Sequence, residues 1–257
     1  MKAKKRIKHI VKWIKNYAYD HKIQKLVVGV SGGIDSAVVS TLCAHTGIPT
    51  IVLSMPIHQS EHTHNLSRAH CEWLVENFSN VQDRTFDLTT VFDEFNKLFV
   101  DHRSDLAFAN SRSRLRMMCL YQVAQSENGI VVGTGNLVED FGLGFFTKYG
   151  DGGVDISPIG NCLKTEVWKM GSELGVLLEI IDAAPTDGLW DDQRTDEDQL
   201  GMSYRDLERM MEIDTWSNKK ILESVTPEDL EKLLKYRVIR RRNLHKMTPI
   251  PVCMFDK

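Results

Sequence analysis

The run Val27-Val28-Gly29-Val30-Ser31-Gly32-Gly33-Ile34-Asp35-Ser36 sets two glycines and two serines between an apolar strand and the start of a helix. Gly32 and Gly33 let the backbone turn tightly and bring its N–H groups close to an anion. Ser31 and Ser36 add hydroxyl donors, and the helix start supplies partial positive charge. Those parts suit a phosphate or pyrophosphate. Asp35 is the odd member, because an acid beside phosphates repels them unless a cation lies between. It is a candidate Mg²⁺ ligand, since that ion takes one or two carboxylates plus phosphate oxygens. The Walker pattern G-x-x-x-x-G-K-[ST] is absent, and Gly133-Thr134-Gly135 meets Val138 where the dinucleotide fingerprint needs its third glycine. The plainer alternative is a strand–turn–helix corner with Asp35 as a solvent-facing cap.

A second segment runs from Gly133-Thr134-Gly135-Asn136-Leu137-Val138-Glu139 into Gly144-Phe145-Phe146-Thr147-Lys148-Tyr149-Gly150-Asp151-Gly152-Gly153-Val154-Asp155-Ile156. It offers a hydroxyl and an acid at a strand end, a lysine between aromatics, then two acids. These residues suit a bound aromatic or nucleotide ligand, and equally a β-turn with Lys148 exposed.

The elements that must position these groups alternate. Strand-like runs at 25–30, 50–54, 81–88 and 130–132 are separated by helical spacing at 35–46, 61–77, 89–101 and 110–127. Such alternation predicts an α/β fold with a parallel sheet covered on both faces and ligands at the carboxyl ends of its strands. A basic amphipathic helix is expected over 3–20, where Ile7, Ile10, Val11, Ile14 and Tyr17 share one face; it packs on its own domain or a second subunit, or lies on a membrane. Nine of the 17 glycines fall in 129–160, which reads as a mobile functional loop, and the chain is mainly helical after Pro158. The expected organisation is one domain over 1–257, with a nucleotide-binding core at 25–185 and a helical part at 186–257.

Composition narrows the class. With 257 residues, 42% hydrophobic and 26% charged, the chain is globular rather than disordered or fibrous. No apolar run approaches the ~20 residues of a membrane span. Five cysteines, Cys43, Cys71, Cys119, Cys162 and Cys253, form no C-x-x-C pair, which points to a reducing cytoplasm. The net charge of −3 hides nine Lys/Arg against one acid in residues 1–25, and seven against none in 232–246. Basic ends can serve nucleic acid, a phosphorylated ligand or a partner subunit.

The Ser31–Ser36 string resembles the loop of the N-type ATP pyrophosphatases, which cleave ATP between its α and β phosphates, adenylate a substrate and hold the leaving pyrophosphate. The string Phe145 to Asp155 resembles the substrate loop of the ammonia-dependent NAD synthetase family. Asn110-Ser-Arg112-Ser-Arg114-Leu-Arg116-Met117 is similar to a family helix. Leu163-Lys164-Thr165, with Pro185-Thr186 and Thr195-Asp196-Glu197, resembles its second ATP-contacting region, and His245-Lys246 its C-terminal motif. The matches run in family order from about residue 6 to 254.

The resemblance implies a Rossmann-like, doubly wound sheet of the adenine-nucleotide α-hydrolase-like type with a helical C-terminal part. It implies that Gly29, Val30, Ser31, Gly32, Gly33, Ile34, Asp35, Ser36, Thr134, Lys164 and Thr186 bind ATP, with Mg²⁺ on Asp35 and Glu139. Asp35, Lys164 and Glu139 would be the catalytic set. Arg114, Lys148, Asp155, His245 and Lys246 would contact deamido-NAD, in a homodimer whose site is shared between subunits. The implied reaction is amidation of deamido-NAD by ammonia, through an adenylated intermediate, in the cytoplasm. No nucleic acid and no membrane would be involved, and no glutaminase part is left over in this length. Loops at 139–155 and 184–200 would close over the anhydride and be mobile when empty.

The chain also departs from the family pattern. Glu139 to Lys148 is one residue longer, so Asp140 could replace Glu139 on the metal. Ser113 stands for an alanine, Asp187 for an alanine beside the ATP region, and Met247 for an arginine that could contact phosphate. The rival readings are a tRNA-modifying ligase of the same superfamily, for which the paired cysteines are missing, and a non-catalytic nucleotide sensor, which would need neither acid.

Overall fold

Residues 2–186 and 195–255 are described by the structure, a computed structural model. Leu, Ile and Val fill the two central strands, so both of their faces demand cover. Strands β1 (Lys25–Gly29), β2 (Thr50–Ser54), β3 (Val81–Thr85) and β4 (Gly129–Val131) form one parallel sheet in the order β3-β2-β1-β4. The chain winds outward from β1 to β3 and then crosses back to place β4 on the other side of β1. The crevice between the carboxyl ends of β1 and β4 is therefore the switch point at which such sheets take ligands.

The crossovers are α2 (Ile34–Ala44), α3 (Glu61–Asn77), and the pair α4 (Thr89–Lys97) and α5 (Asp105–Ser126). Alternation along the strands divides the core. Leu26 and Val28 pack with α1 (Ala3–Asp20), α2 and α6 (Lys164–Leu174), whereas Val27, Ile51 and Leu53 meet Met117, Leu120 and Val123 of α5. Helix α1 buries Ile10, Ile14 and Ala18 in this core, so its apolar face is filled within its own chain. Among the described residues, no helix is long and apolar enough to cross a membrane.

After Pro158 the chain is mainly helical, as the sequence predicts. After α6 come α7 (Leu178–Asp182), α8 (Asp196–Leu200), α9 (Tyr204–Asp214), α10 (Asn218–Ser224) and α11 (Pro227–Met247). Helices α8 to α11 bury Leu200, Tyr204, Leu207, Met210 and Leu233 with Val138 and Leu143 of a π-helical turn over Leu137–Leu143. Trp168 of α6 packs against both this cluster and the sheet core. Asp187 and part of the expected 184–200 loop fall within 187–194, outside the described residues.

Three boundaries differ from the sequence expectation. Strand β3 ends at Thr85 rather than near 88, because it is an edge strand in which Val81 alone is buried. Helix α4 stops at Lys97, and α5 begins at Asp105, where Ser104 Oγ accepts from the Ala107 N–H.

His70 of α3 is fully buried against α2, with Nε2 3.0 Å from Ser40 Oγ. Burial lowers its pKa from the usual 6.5 to about 4. The folded protein thus holds it neutral. Its contribution to stability is complete above pH 6.5 and is lost as the pH falls toward 4, by about 3 kcal/mol in all. His70→Gln should remove most of this acid sensitivity, read as unfolding free energy between pH 7 and pH 4.5. An unchanged profile would show that His70 is not the responsible group.

Candidate active site

The glycine loop leaves β1 at the switch point and enters α2 directly. Gly32 has φ +92°, and a Cβ on it would lie 2.7 Å from the Thr63 carbonyl oxygen in the first turn of α3. Only glycine meets both constraints. Ser67 Oγ of α3 donates to the Val30 carbonyl at 2.7 Å and fixes the loop's entry. Within the loop, Ser36 Oγ accepts from the Ser31 N–H at 3.2 Å and donates to the Gly33 carbonyl at 2.9 Å, and Ser31 Oγ accepts from the Gly33 N–H at 3.3 Å. These are donors of the kind a phosphate takes from such a loop. Gly32→Ala should cost ~2 kcal/mol or more through strain and overpacking, and raise the Kd for ATP at least ~10-fold. A variant with wild-type melting and ATP affinity would contradict this reading of the loop.

Asn136 brings the segment after β4 to the same place. Asn136, fully buried, accepts from the Val138 and Glu139 N–H groups at 3.0 and 3.1 Å and donates from Nδ2 to Asp35 Oδ1 at 3.3 Å. It caps the π-helical turn and ties it to α2.

Lys164, the first residue of α6, is 2% exposed. Its Nζ donates to Asp35 Oδ2 at 2.5 Å and Glu139 Oε1 at 2.8 Å. Asp35, Lys164 and Glu139 thus converge from three separate segments. Two carboxylates share one ammonium, and the pKa shifts follow from that count. Desolvation, joined by the charge of Glu139, raises the Asp35 carboxyl in spite of Lys164. Desolvation also acts on Glu139, but Lys164 and the Tyr204 hydroxyl more than offset it and hold that acid below the usual range. Lys164 is raised by the two acids in spite of its burial.

Asp140 lines the same cleft but takes no bond from Lys164 among those seen. It lies against Gly135, where a Cβ would come 1.8 Å from its Oδ2, and burial among Asp151, Glu139 and Asp35 raises its pKa well above the usual value. Glu139, rather than Asp140, shares the ammonium with Asp35.

The donor set fits magnesium. Both Asp35 and Glu139 are hard oxygen ligands already gathered about one positive charge, and their side chains are 17% and 15% exposed. Among the described residues no group of three or more His, Cys, Asp or Glu could hold a metal alone.

These groups line one cleft of about 1270 Å³, together with Thr134, Thr186 and Lys246. A single small ligand takes roughly 300–1,000 Å³, so this one has room for two co-substrates. Arg114 Nε donates to the Lys148 carbonyl at 3.2 Å, Lys148 Nζ to the His245 carbonyl at 3.3 Å, and Lys246 Nζ to the Phe146 carbonyl at 2.7 Å. Arg114, Lys148 and His245 of the expected dinucleotide set are thus linked to one another, and Lys246, next to His245 in sequence, lines the cleft. Asp155 stands apart, accepting from Tyr121 OH at 3.0 Å and the Val131 N–H at 2.7 Å at the β4 edge.

Sequence reasoning missed Asn136 and Tyr204. Asn136 stands three residues before Glu139, the N-cap spacing, and was open to discovery. Tyr204 carried no local signal.

A parallel sheet with a glycine phosphate loop and a carboxylate–lysine cluster at its switch point defines a nucleotide-handling α/β protein. The family model for NAD synthase matches residues 6–249, and the chain belongs to that family. The NH(3)-dependent NAD(+) synthetase of Methanosarcina acetivorans is 36% identical over 94% of this chain and 95% of its own. The NMN synthetase of Francisella tularensis superposes with a TM-score of 0.85 at 31% identity, covering 99% of this chain and 100% of that one. The NH3-dependent NAD synthetase of Campylobacter jejuni, at 23% identity, shares the fold with a TM-score of 0.80 over 99% of this chain.

Proposed function

We propose that this chain is a ligase that forms the amide of NAD from deamido-NAD and ammonia, with ATP cleaved to AMP and pyrophosphate. The observation that carries this reading is the convergence of Asp35, Lys164 and Glu139 at the mouth of a phosphate loop, in a chain of the NAD synthase family.

A carboxylate resists amidation because its leaving group would be oxide. In the first step the nicotinate oxygen attacks the ATP α-phosphorus, a P–O bond to the β phosphate breaks, and pyrophosphate leaves. In the second, ammonia attacks the carbonyl carbon, the C–O bond to AMP breaks, and the ammonium formed loses a proton. Loop N–H groups and the Ser31 and Ser36 hydroxyls would hold the departing pyrophosphate, and Lys164 would meet the charge developing on the α-phosphoryl oxygens. Asp35 and Glu139 would hold Mg²⁺, which when bound neutralises charge on the phosphate oxygens. Two polyanions must approach each other, so Arg114, Lys148, His245 and Lys246 would position the pyridine nucleotide.

Other features agree with this assignment. Part of the basic charge at the two ends is paired within the chain: Lys4 with Glu173, Arg6 with Glu166, Lys232 with Asp206, and Arg237 with Asp214. The helices α4 and α5 expose Val91, Phe95, Leu106 and Met118, which supports a homodimer joined through them. All five cysteines are free, three of them buried, as a reducing cytoplasm allows.

The similarity to an NMN synthetase favours one second reading, in which the acceptor is the mononucleotide. The chemistry at the carboxylate is the same, and only the distal phosphate and adenosine differ. Met247 packs its Cγ toward Gly144 and provides no charge for a second phosphate. The test offers MgATP and ammonium with either deamido-NAD or nicotinate mononucleotide. Equal amounts of AMP and NAD, with higher kcat/KM for the dinucleotide, are expected; higher kcat/KM for the mononucleotide would establish the second reading. ATP binding without AMP formation from either acceptor would sink both.

A further inference from the structure

Tyr204, the first residue of α9, is 1% exposed and reaches the catalytic cluster from the C-terminal helices. Its hydroxyl lies 2.5 Å from Glu139 Oε1 and 3.0 Å from Asp196 Oδ2. A phenol has one hydrogen to give, and the shorter contact assigns it to Glu139. The same ring presents its face to Lys164 Nζ, 4.8 Å from the centroid, and packs edge-on against Trp168 at 5.8 Å. Its backbone is held too, since the Tyr204 N–H donates to Glu197 Oε1 at 2.8 Å. One side chain thus restrains both partners of an ion pair, with the hydroxyl on the acid and the π face on the ammonium.

We propose that Tyr204 is a positioning residue for the ATP-activating centre: it fixes the Glu139 carboxylate and the Lys164 ammonium relative to Asp35. Without it, the Glu139 carboxylate keeps Lys164 and Asn136 and loses the partner that reaches it from the C-terminal helices. A phenol carries its proton at neutral pH, so the hydroxyl is a donor there. The inference rests on the reading of Asp35, Lys164 and Glu139 as groups that handle MgATP.

Tyr204→Phe removes the hydroxyl and keeps the ring, so the contacts to Trp168 and Lys164 survive and the fold should too. We expect kcat to fall about 10- to 100-fold, the range for a lost hydrogen bond to a charged group, with KM for the pyridine nucleotide unchanged. Mn²⁺ titrated into protein with ATP, followed by electron paramagnetic resonance, should bind several-fold more weakly. In the Glu139→Gln background, the same Tyr204 change should have little further effect on kcat or on Mn²⁺ binding. Wild-type kcat and Mn²⁺ affinity in Tyr204→Phe would overturn the proposal, as would a loss fully additive with Glu139→Gln. Tyr204→Leu, lacking the ring as well, should lose activity further and melt at lower temperature; equality with Tyr204→Phe in both would count against the role given to the ring. The Mn²⁺ measurement needs no acceptor, so it still tests Tyr204 if the choice of pyridine nucleotide is wrong.

Discussion

Asp35→Asn gives a folded protein that releases pyrophosphate at least ~100-fold more slowly than wild type, the usual size of losing one main electrostatic element of a site. The structure explains why the fold should survive. Desolvation already works against the ionised Asp35 carboxyl, so a neutral isostere relieves a cost. Lys164 keeps its 2.8 Å bond to Glu139 and is not left unpaired. The Asn136 amide, 3.3 Å away, can still donate to the new amide oxygen. Melting within a few degrees of wild type, with pyrophosphate release nearly abolished, is therefore expected. A variant that turns over normally would remove Asp35 from the metal and with it the assignment of the cluster.

Lys164→Met acts in the opposite way and damages the fold as well as the chemistry. Removing the ammonium leaves two carboxylates with little solvent and no counter-charge, a situation that typically costs ~3–5 kcal/mol. For a chain of this size that is a fall of about 10 °C in melting temperature. The deficit should shrink as the pH falls. Without Lys164 the folded-state pKa values of Asp35 and Glu139 lie above their unfolded values, so the folded protein binds more protons and gains stability toward acid. The double variant Asp35→Asn, Lys164→Met should regain part of the loss at pH 8, because one buried charge is gone. Thermal melts of the three proteins at pH 5 and pH 8 check this. Equal melting of Lys164→Met and wild type at pH 8 would mean the cluster carries no such charge.

What could be read from the chain was what obeys local rules. The phosphate loop was legible because Gly32 must adopt a positive φ beneath α3, a demand that a glycine between strand and helix announces by itself. Helices 3–20 and 61–77 and strand 50–54 were legible because their periodicity reflects a buried face. Strand β3 was extended too far, since an exposed edge strand has little pattern to end. Tyr204 was invisible because its meaning comes from packing. It lies 65 residues from Glu139, and nothing in its own helix marks the hydroxyl as bound to an acid.

In the proposed reaction the 31–36 loop holds the pyrophosphate half of ATP, with a divalent cation on Asp35 and Glu139. A crystal structure of the protein with Mn²⁺ and α,β-methylene-ATP tests it directly. The β and γ phosphates should lie within hydrogen-bonding distance of the Ser31–Ser36 N–H groups, with an anomalous manganese peak between them and the two carboxylates. Phosphates seated elsewhere in the cleft, or a peak remote from both acids, would contradict the account.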